Sequence, residues 1–141
     1  MDQGFDGELM ASILVIDDDE QLRTMLKLVL QLAGYDVIDA GSGDEGLQRY
    51  SAQPADLVIT DIIMPGKEGL ETILELRRRD PLVKIIAISG GGQAGANQYL
   101  KLAKKFGASQ VLAKPFSNEE ILLAVGELLS DGRDREGAVQ K

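Results

Sequence analysis

The chain has 141 residues, of which 44% are hydrophobic and 27% charged, a composition typical of one soluble globular domain. Its formal net charge of −8 argues against binding to nucleic acid or to an anionic membrane, because both require a basic surface. The sequence contains no cysteine and no histidine, which excludes disulfides, thiol or imidazole catalysis and the usual zinc sites. Any chemistry must therefore depend on aspartate, serine and lysine.

Both ends of the chain are polar, and we expect them to be frayed termini and not domains. The first residues lack a basic segment followed by an apolar run, and no stretch approaches membrane-spanning length, so we expect a cytoplasmic protein. We predict a disordered N-terminus over residues 1–11, a folded domain over 12–129 and a flexible C-terminal tail over 130–141. No further domain is expected after Leu129.

Short apolar runs alternate with helical patterns along the chain. The apolar runs predict strands at 12–17, 36–40, 57–61, 83–89 and 110–113. Apolar residues spaced three and four apart predict helices near 22–33, 44–51, 70–77, 97–106 and 118–128. Gly34 is typical of a helix C-cap, and the sequence from Ser117 to Glu120 is a capping box that opens the last helix.

Strict alternation of strand and helix predicts a parallel sheet with helices on both faces, because parallel neighbours require crossover connections. The near-continuous apolar runs LVIT and KIIAIS fit strands that are buried on both sides. The predicted fold class is therefore a doubly wound α/β domain.

Polar residues stand where these strands end. Asp17 and Asp18 follow the first strand, Asp61 closes the third, Ser89 closes the fourth and Lys114 follows the fifth. Ligands bind at the carboxyl edge of open parallel sheets, so these side chains should converge there. Carboxylate oxygens suit Mg²⁺, and a cation would relieve the repulsion among adjacent acids. The sequence thus predicts a site that handles phosphoryl groups.

Four motifs resemble a known family when they are taken together and in order. They are ILVIDDD at 13–19, DLVITDIIMPG at 56–66, ISG at 88–90 and GASQVLAKPF at 107–116. Over residues 12–129 the chain resembles the receiver domain of bacterial two-component response regulators. The resemblance implies a five-stranded, flavodoxin-like parallel sheet with strand order 2-1-3-4-5, and a phosphoacceptor aspartate at the end of strand three, here Asp61.

The resemblance also implies roles for the other site residues. Asp17 and Asp18 match the acidic pair, and Asp18 would bind Mg²⁺ directly beside Asp61 and the backbone carbonyl of Ile63. Ser89 matches the switch hydroxyl. Lys114 matches the lysine that contacts the phosphoryl group, and it would precede a cis peptide bond to Pro115.

The family further implies partners and a mode of action. The phosphoryl donor would be a sensor histidine kinase or a histidine phosphotransfer protein. Phosphorylation would alter the face formed by helix four, strand five and helix five, and so change binding of a downstream protein. The domain would promote its own phosphorylation and dephosphorylation, without being an enzyme in the usual sense.

Each site residue also has a simpler interpretation. Asp18 or Asp19 could cap the helix that follows them. Asp61 could be an ordinary loop acid, Ser89 a turn residue and Lys114 a solvated surface lysine. The joint occurrence of these residue types at four strand ends favours the functional interpretation.

The sequence departs from the common family pattern in three places. Val111 stands where many members have an aromatic residue that rotates with the switch. The switch hydroxyl is serine instead of the frequent threonine, so its rotamer is less restricted. Three glycines at 90–92 predict a mobile loop after strand four.

Several functions stay open on the sequence alone. A receiver could act as a diffusible switch, or it could pass its phosphoryl group to a histidine phosphotransfer protein. A third hypothesis is an interaction module that has the shape of a receiver domain but is never phosphorylated. An aspartate-nucleophile phosphatase is disfavoured, because the place of its second acid is held by Ile63.

Overall fold

The computed structural model describes residues 10–62, 69–90 and 96–140, with 96–100 and 131–140 described by their backbone alone. Five strands are present in the described residues: β1 (Ser12–Ile16), β2 (Asp36–Ala40), β3 (Leu57–Asp61), β4 (Lys84–Ser89) and β5 (Gln110–Ala113). They alternate with the helices α1 (Glu20–Leu32), α2 (Gly43–Ala52), α3 (Gly69–Arg79), α4 (Ala96–Phe106) and α5 (Asn118–Gln140). The predicted alternation is confirmed.

The strands form one parallel sheet in the order β2-β1-β3-β4-β5, as the resemblance implied. Ile16 pairs with Thr60, so the residue after β1 lies beside the last residue of β3. Ser89 pairs with Ala113 in the same way, and this places Lys114 just beyond the end of β4. The register therefore brings four strand ends to one edge.

Alternate residues of each strand supply the two hydrophobic cores on the faces of the sheet. One core joins residues such as Leu14 and Val58 to apolar side chains of α2, α3 and α4. The other joins residues such as Ile13 and Ile59 to apolar side chains of α1 and α5. Because both faces are covered, the central strands are buried.

The helix ends follow the predicted capping signals. Asp19 is the N-cap of α1, and its carboxylate accepts hydrogen bonds from the N–H groups of Gln21 and Leu22. Ser117 and Glu120 form the predicted capping box, each side chain accepting from the other's backbone N–H at 3.0 Å and 2.7 Å. Gly34 follows α1 with φ of 101°, a value that favours glycine. Asp19, and not Asp18, is therefore the residue that caps α1.

The last helix is longer than predicted. Residues 130–141 were expected to be a flexible tail, yet the backbone of α5 continues to Gln140. No proline follows Leu129 to stop the helix, and its backbone continues beyond that residue. The domain limits at 12 and 129 stay predictions, and residues 1–9 lie outside the described part of the chain. Among the described helices, none has the length and apolar character needed to cross a membrane.

Candidate functional site

Three carboxylates meet at the carboxyl edge of the sheet. Asp17 and Asp18 follow β1, and Asp61 ends the neighbouring strand β3. One oxygen from each of the three lies within 4.8 Å of the other two. Oxygen ligands at this spacing can share one small divalent cation, so the predicted juxtaposition of these acids is confirmed.

Asp17 is the most deeply buried acid of this cluster, with 1% of the residue exposed. Its Oδ1 accepts a hydrogen bond from the N–H of Asp19 at 2.9 Å. Its buried Oδ2 accepts no hydrogen bond from the described residues. Burial raises the pKa of Asp17, and the neighbouring charges of Asp61 and Asp18 act in the same direction. A bound cation would compensate the negative charge of this carboxylate and favour its ionised form.

Lys114 is directed into the cluster and is not a solvated surface lysine. Its Nζ lies 3.5 Å from Oδ2 of Asp17 and 3.5 Å from Oδ2 of Asp61. Its backbone N–H donates to the carbonyl of Ser89 at 2.7 Å, which ties the loop after β5 to the end of β4. The cis peptide bond between Lys114 and Pro115 is present as expected.

Ser89 lies at the same edge and is fully buried, with 0% exposure. Its Oγ has no hydrogen-bond partner among the described residues. A buried hydroxyl without a partner is energetically costly, so a hydrogen bond to a new acceptor would stabilise this side chain. Two predicted features cannot be placed, since Ile63 and the glycines at 91 and 92 lie outside the described residues.

A surface groove of about 410 Å³ adjoins the cluster. Its walls include Leu22 and Met25 of α1 on one side and Pro115 and Phe116 of the loop after β5 on the other. Lys114 and Gly90 also line it, so the groove reaches the lysine that contacts Asp17 and Asp61.

Two further residues support the site, and sequence reasoning missed both. A Cβ atom at Gly69 would overlap the carbonyl oxygen of Asp61, so the start of α3 packs directly on the backbone of β3. Arg23 of α1 donates from Nη1 to the carbonyl of Asp17 at 2.7 Å. A glycine opening a helix gives only a weak signal for such close packing, and nothing in the sequence around Arg23 indicates its contact.

The family of the chain follows from comparison with known proteins. A family model described as "Response regulator receiver domain" matches residues 13–126. The chain belongs to this family. Receiver domains act as phosphoacceptor switches in two-component systems, and the cluster of Asp17, Asp18 and Asp61 fits the metal site of such domains.

Curated relatives support the assignment to the receiver domain family. The chemotaxis protein CheY of Thermotoga maritima is 34% identical over 117 residues, covering 82% of this chain and 95% of that protein. The alkaline phosphatase synthesis transcriptional regulatory protein PhoP of Bacillus subtilis is 33% identical over 118 residues, covering 83% of this chain. The chain spans 48% of the length of PhoP.

A solved structure agrees as well. The response regulator receiver domain protein from Clostridium thermocellum superposes with a TM-score of 0.80 at 30% identity, covering 88% of this chain and 98% of that one. The family and the fold are therefore settled together, while the roles of the individual site residues remain predictions.

Proposed function

We propose that this receiver domain takes a phosphoryl group from a phosphohistidine of a sensor kinase onto Asp61 and then presents an altered surface to a downstream protein. The observation that carries the proposal is the position of Lys114, whose ammonium lies 3.5 Å from the carboxylates of both Asp17 and Asp61. An ammonium at this place can contact an oxygen of the incoming phosphoryl group while Asp61 attacks phosphorus.

The reaction is a transfer between two phosphoryl carriers. A carboxylate oxygen of Asp61 forms a bond to phosphorus, and the bond from phosphorus to the donor's imidazole nitrogen breaks. The imidazole leaves with the electron pair and takes a proton from solvent. The protein's task is to position the carboxylate and to neutralise charge on the phosphoryl oxygens, because little other chemistry is required.

The residues present fit a magnesium ion. When bound, Mg²⁺ would supply positive charge for the phosphoryl oxygens beside that of Lys114. The exposed carboxylate of Asp18 is the direct ligand in this proposal, together with Asp61 and the backbone carbonyl of Ile63. Buried Asp17 adds a further negative charge to the site and forms an ion pair with Lys114. A cation bound in this way would offset the repulsion between the adjacent acids at the end of β1.

The donor reaches Asp61 along the groove between α1 and the loop after β5. Leu22, Met25 and Phe116 give that groove an apolar wall, and Lys114 lines it as well. A helix or loop that carries phosphohistidine between apolar neighbours would fit such a surface. The groove thus supports a protein donor in addition to small phosphodonors.

Ser89 is the residue that converts phosphorylation into a change of shape. An aspartyl phosphate offers several strong acceptor oxygens, and the unpartnered hydroxyl of Ser89 can donate to one of them after a small movement of its strand end. The carbonyl of Ser89 accepts from the N–H of Lys114, so the movement is transmitted to β5. We place the output surface on α4, β5 and α5.

The decisive experiment is the intact mass of the protein after incubation with acetyl phosphate and Mg²⁺. We expect one added phosphoryl group in the wild type, none in Asp61→Asn and none with a chelator present. Asp36→Asn serves as the matched control, because Asp36 is an exposed acid at the far end of β2. An unmodified wild type that binds Mg²⁺ would overturn the proposal in favour of an interaction module.

A phosphorelay carrier is a variant of the same proposal. In that case the phosphorylated protein, once separated from the donor, would transfer its group to a histidine phosphotransfer protein faster than it loses it to water. Comparing the two rates with a candidate acceptor distinguishes a carrier from a terminal switch.

A further inference from the structure

Arg23 connects the end of β1 with the end of β2. Its Nη1 donates to the carbonyl oxygen of Asp17 at 2.7 Å, and its Nε donates to Oδ2 of Asp39 at 2.8 Å. Only 20% of the side chain is exposed. The planar guanidinium is therefore fixed from two sides, which a flexible surface arginine is not.

The carbonyl that Arg23 holds belongs to the peptide group between Asp17 and Asp18. Because a peptide group is planar, fixing this carbonyl also fixes the direction in which the chain enters Asp18. The rest of the turn is held by two bonds, from the N–H of Asp17 to Ala40 and from the N–H of Asp19 to the Asp17 carboxylate. Among the described contacts, the hydrogen bond from Arg23 is the one made to the carbonyl oxygen of the peptide that leads into Asp18.

We propose that Arg23 is a positioning residue for the cation site, holding the backbone so that the carboxylate of Asp18 is directed at the ion. The inference rests on the proposed function, since it assigns the ion to Asp18 and Asp61. Groups that orient metal ligands typically change metal affinity by roughly 10- to 100-fold when they are removed.

Asp39 completes the arrangement by holding Arg23 in turn. Burial opposes ionisation of Asp39, but hydrogen bonds from Arg23 and Lys27 outweigh it and lower the pKa of the carboxyl. Asp39 therefore stays charged at neutral pH, and the guanidinium keeps its orientation.

Lys27 provides a matched control within the same network. Its Nζ lies 3.4 Å from Oδ1 of Asp39, but of the two cations that hold Asp39 in the described structure, only Arg23 also bonds to Asp17. Removing either cation changes the charge near the acids by one unit. By Coulomb's law alone, both removals should strengthen Mg²⁺ binding slightly. A positioning role predicts instead that removal of Arg23 weakens Mg²⁺ binding. The direction of the change in affinity therefore separates positioning from the effect of charge.

The test is a titration of the unphosphorylated protein with Mg²⁺ alone, followed through the backbone amide resonances of Asp18 and Asp19. For Arg23→Met we expect a dissociation constant about tenfold higher than that of the wild type. For Lys27→Met we expect an unchanged or slightly lower value. Arg23→Met that binds Mg²⁺ as tightly as the wild type would overturn the inference.

Arg23→Lys keeps the charge but offers one ammonium in place of the planar fork. It should bind Mg²⁺ with intermediate affinity, and it remains informative if the methionine variant does not fold. Wild-type affinity in the folded lysine and methionine variants would contradict a positioning role. The phosphorylation rate of the variants with acetyl phosphate should recover towards the wild-type value as Mg²⁺ is raised to saturation.

The outcomes distinguish this inference from the proposed function. A wild-type protein that fails to bind Mg²⁺ would contradict the proposed function. A wild type that binds Mg²⁺ and is phosphorylated, with Arg23→Met equal to it in affinity, would contradict the role of Arg23 alone.

Discussion

The Nζ of Lys114 lies 3.5 Å from Oδ2 of Asp61, although 53 positions separate the two residues in the chain. The contact exists because β3 and β5 are parallel strands of one sheet and end at the same edge. It joins the amino group of Lys114 to the carboxylate that we propose as phosphoacceptor. The first prediction follows from this contact.

Lys114→Met should slow phosphorylation of Asp61 by roughly a hundredfold, the usual effect of removing one group that neutralises charge in the transition state. Mg²⁺ affinity should not fall, since a competing cation has been removed from the two acids. Intact mass measured over time gives the rate. Lys105→Met, which removes an exposed lysine of α4, should behave as the wild type.

Gly69→Ala should disturb the site through the backbone. The new Cβ would overlap the carbonyl oxygen of Asp61, so α3 must shift away from β3. We expect the free energy of unfolding to fall by about 1–3 kcal/mol, as for other overpacked positions, with a matching loss of phosphorylation. Urea denaturation measures the first effect and intact mass the second.

Gly126→Ala is the control for that substitution. Gly126 lies within α5, and a Cβ there meets nothing within 4 Å. Alanine should therefore stabilise the protein by up to about 1 kcal/mol through its higher helix propensity. A Gly69→Ala protein as stable as the Gly126→Ala protein would contradict the packing described for α3.

Ser89→Ala should separate phosphorylation from the change of shape. Since the buried hydroxyl has no partner among the described residues, its removal should leave the stability of the unphosphorylated protein unchanged or raise it slightly. The variant should still accept a phosphoryl group, but hydrogen exchange of β5 and α5 should no longer respond to it. Loss of phosphorylation itself would assign Ser89 a different role.

Ser109→Ala is the informative comparison for the stability measurement. The hydroxyl of Ser109 accepts a hydrogen bond from the N–H of Ile85 at 3.0 Å. Its loss should destabilise the protein by about 1 kcal/mol, because a backbone donor is left without its partner. Equal melting temperatures for the two alanine variants would contradict the difference in hydrogen bonding.

Tyr50 and Asp80 form a contact that should make stability depend on pH. The hydroxyl of Tyr50 donates to Oδ2 of Asp80 at 2.6 Å. Burial, followed by the hydrogen bond to Asp80, raises the pKa of Tyr50 above its usual value of 10.0. The hydrogen bond from Tyr50 lowers the pKa of Asp80 below 3.8.

The two shifts act at opposite ends of the pH scale. A raised tyrosine pKa stabilises the fold below about pH 10, and this contribution is lost as the pH rises further. A lowered aspartate pKa stabilises the fold above about pH 4, and this contribution is lost as the pH falls. Tyr50→Phe should lower the free energy of unfolding by about 1 kcal/mol near neutral pH. It should also weaken the dependence of stability on pH in both the acidic and the alkaline range. Tyr35→Phe serves as control.

The strands and the strand-end residues could be predicted because both are local in the sequence. Apolar runs mark the buried strands, and Asp17, Asp61, Ser89 and Lys114 stand directly at their ends. Parallel pairing then brings them together without further information. The capping role of Asp19 was likewise encoded within a few residues.

Contacts between side chains of distant elements could not be predicted. Arg23 meets Asp39 across 16 positions, and the pairing depends on rotamers and on the distance between α1 and β2. The tight packing of Gly69 depends on the path of the chain after β3. The extension of α5 to Gln140 was missed because that segment is polar and shows no apolar periodicity.

The central claim is that Asp61 itself becomes phosphorylated, and locating the modified residue tests it most directly. Borohydride reduces an aspartyl phosphate to homoserine, which peptide mass spectrometry can assign to a single position after treatment with acetyl phosphate and Mg²⁺. The account predicts homoserine at position 61 and nowhere else. Homoserine at position 17 or 18, or at no position in a protein that has gained a phosphoryl group, would contradict it.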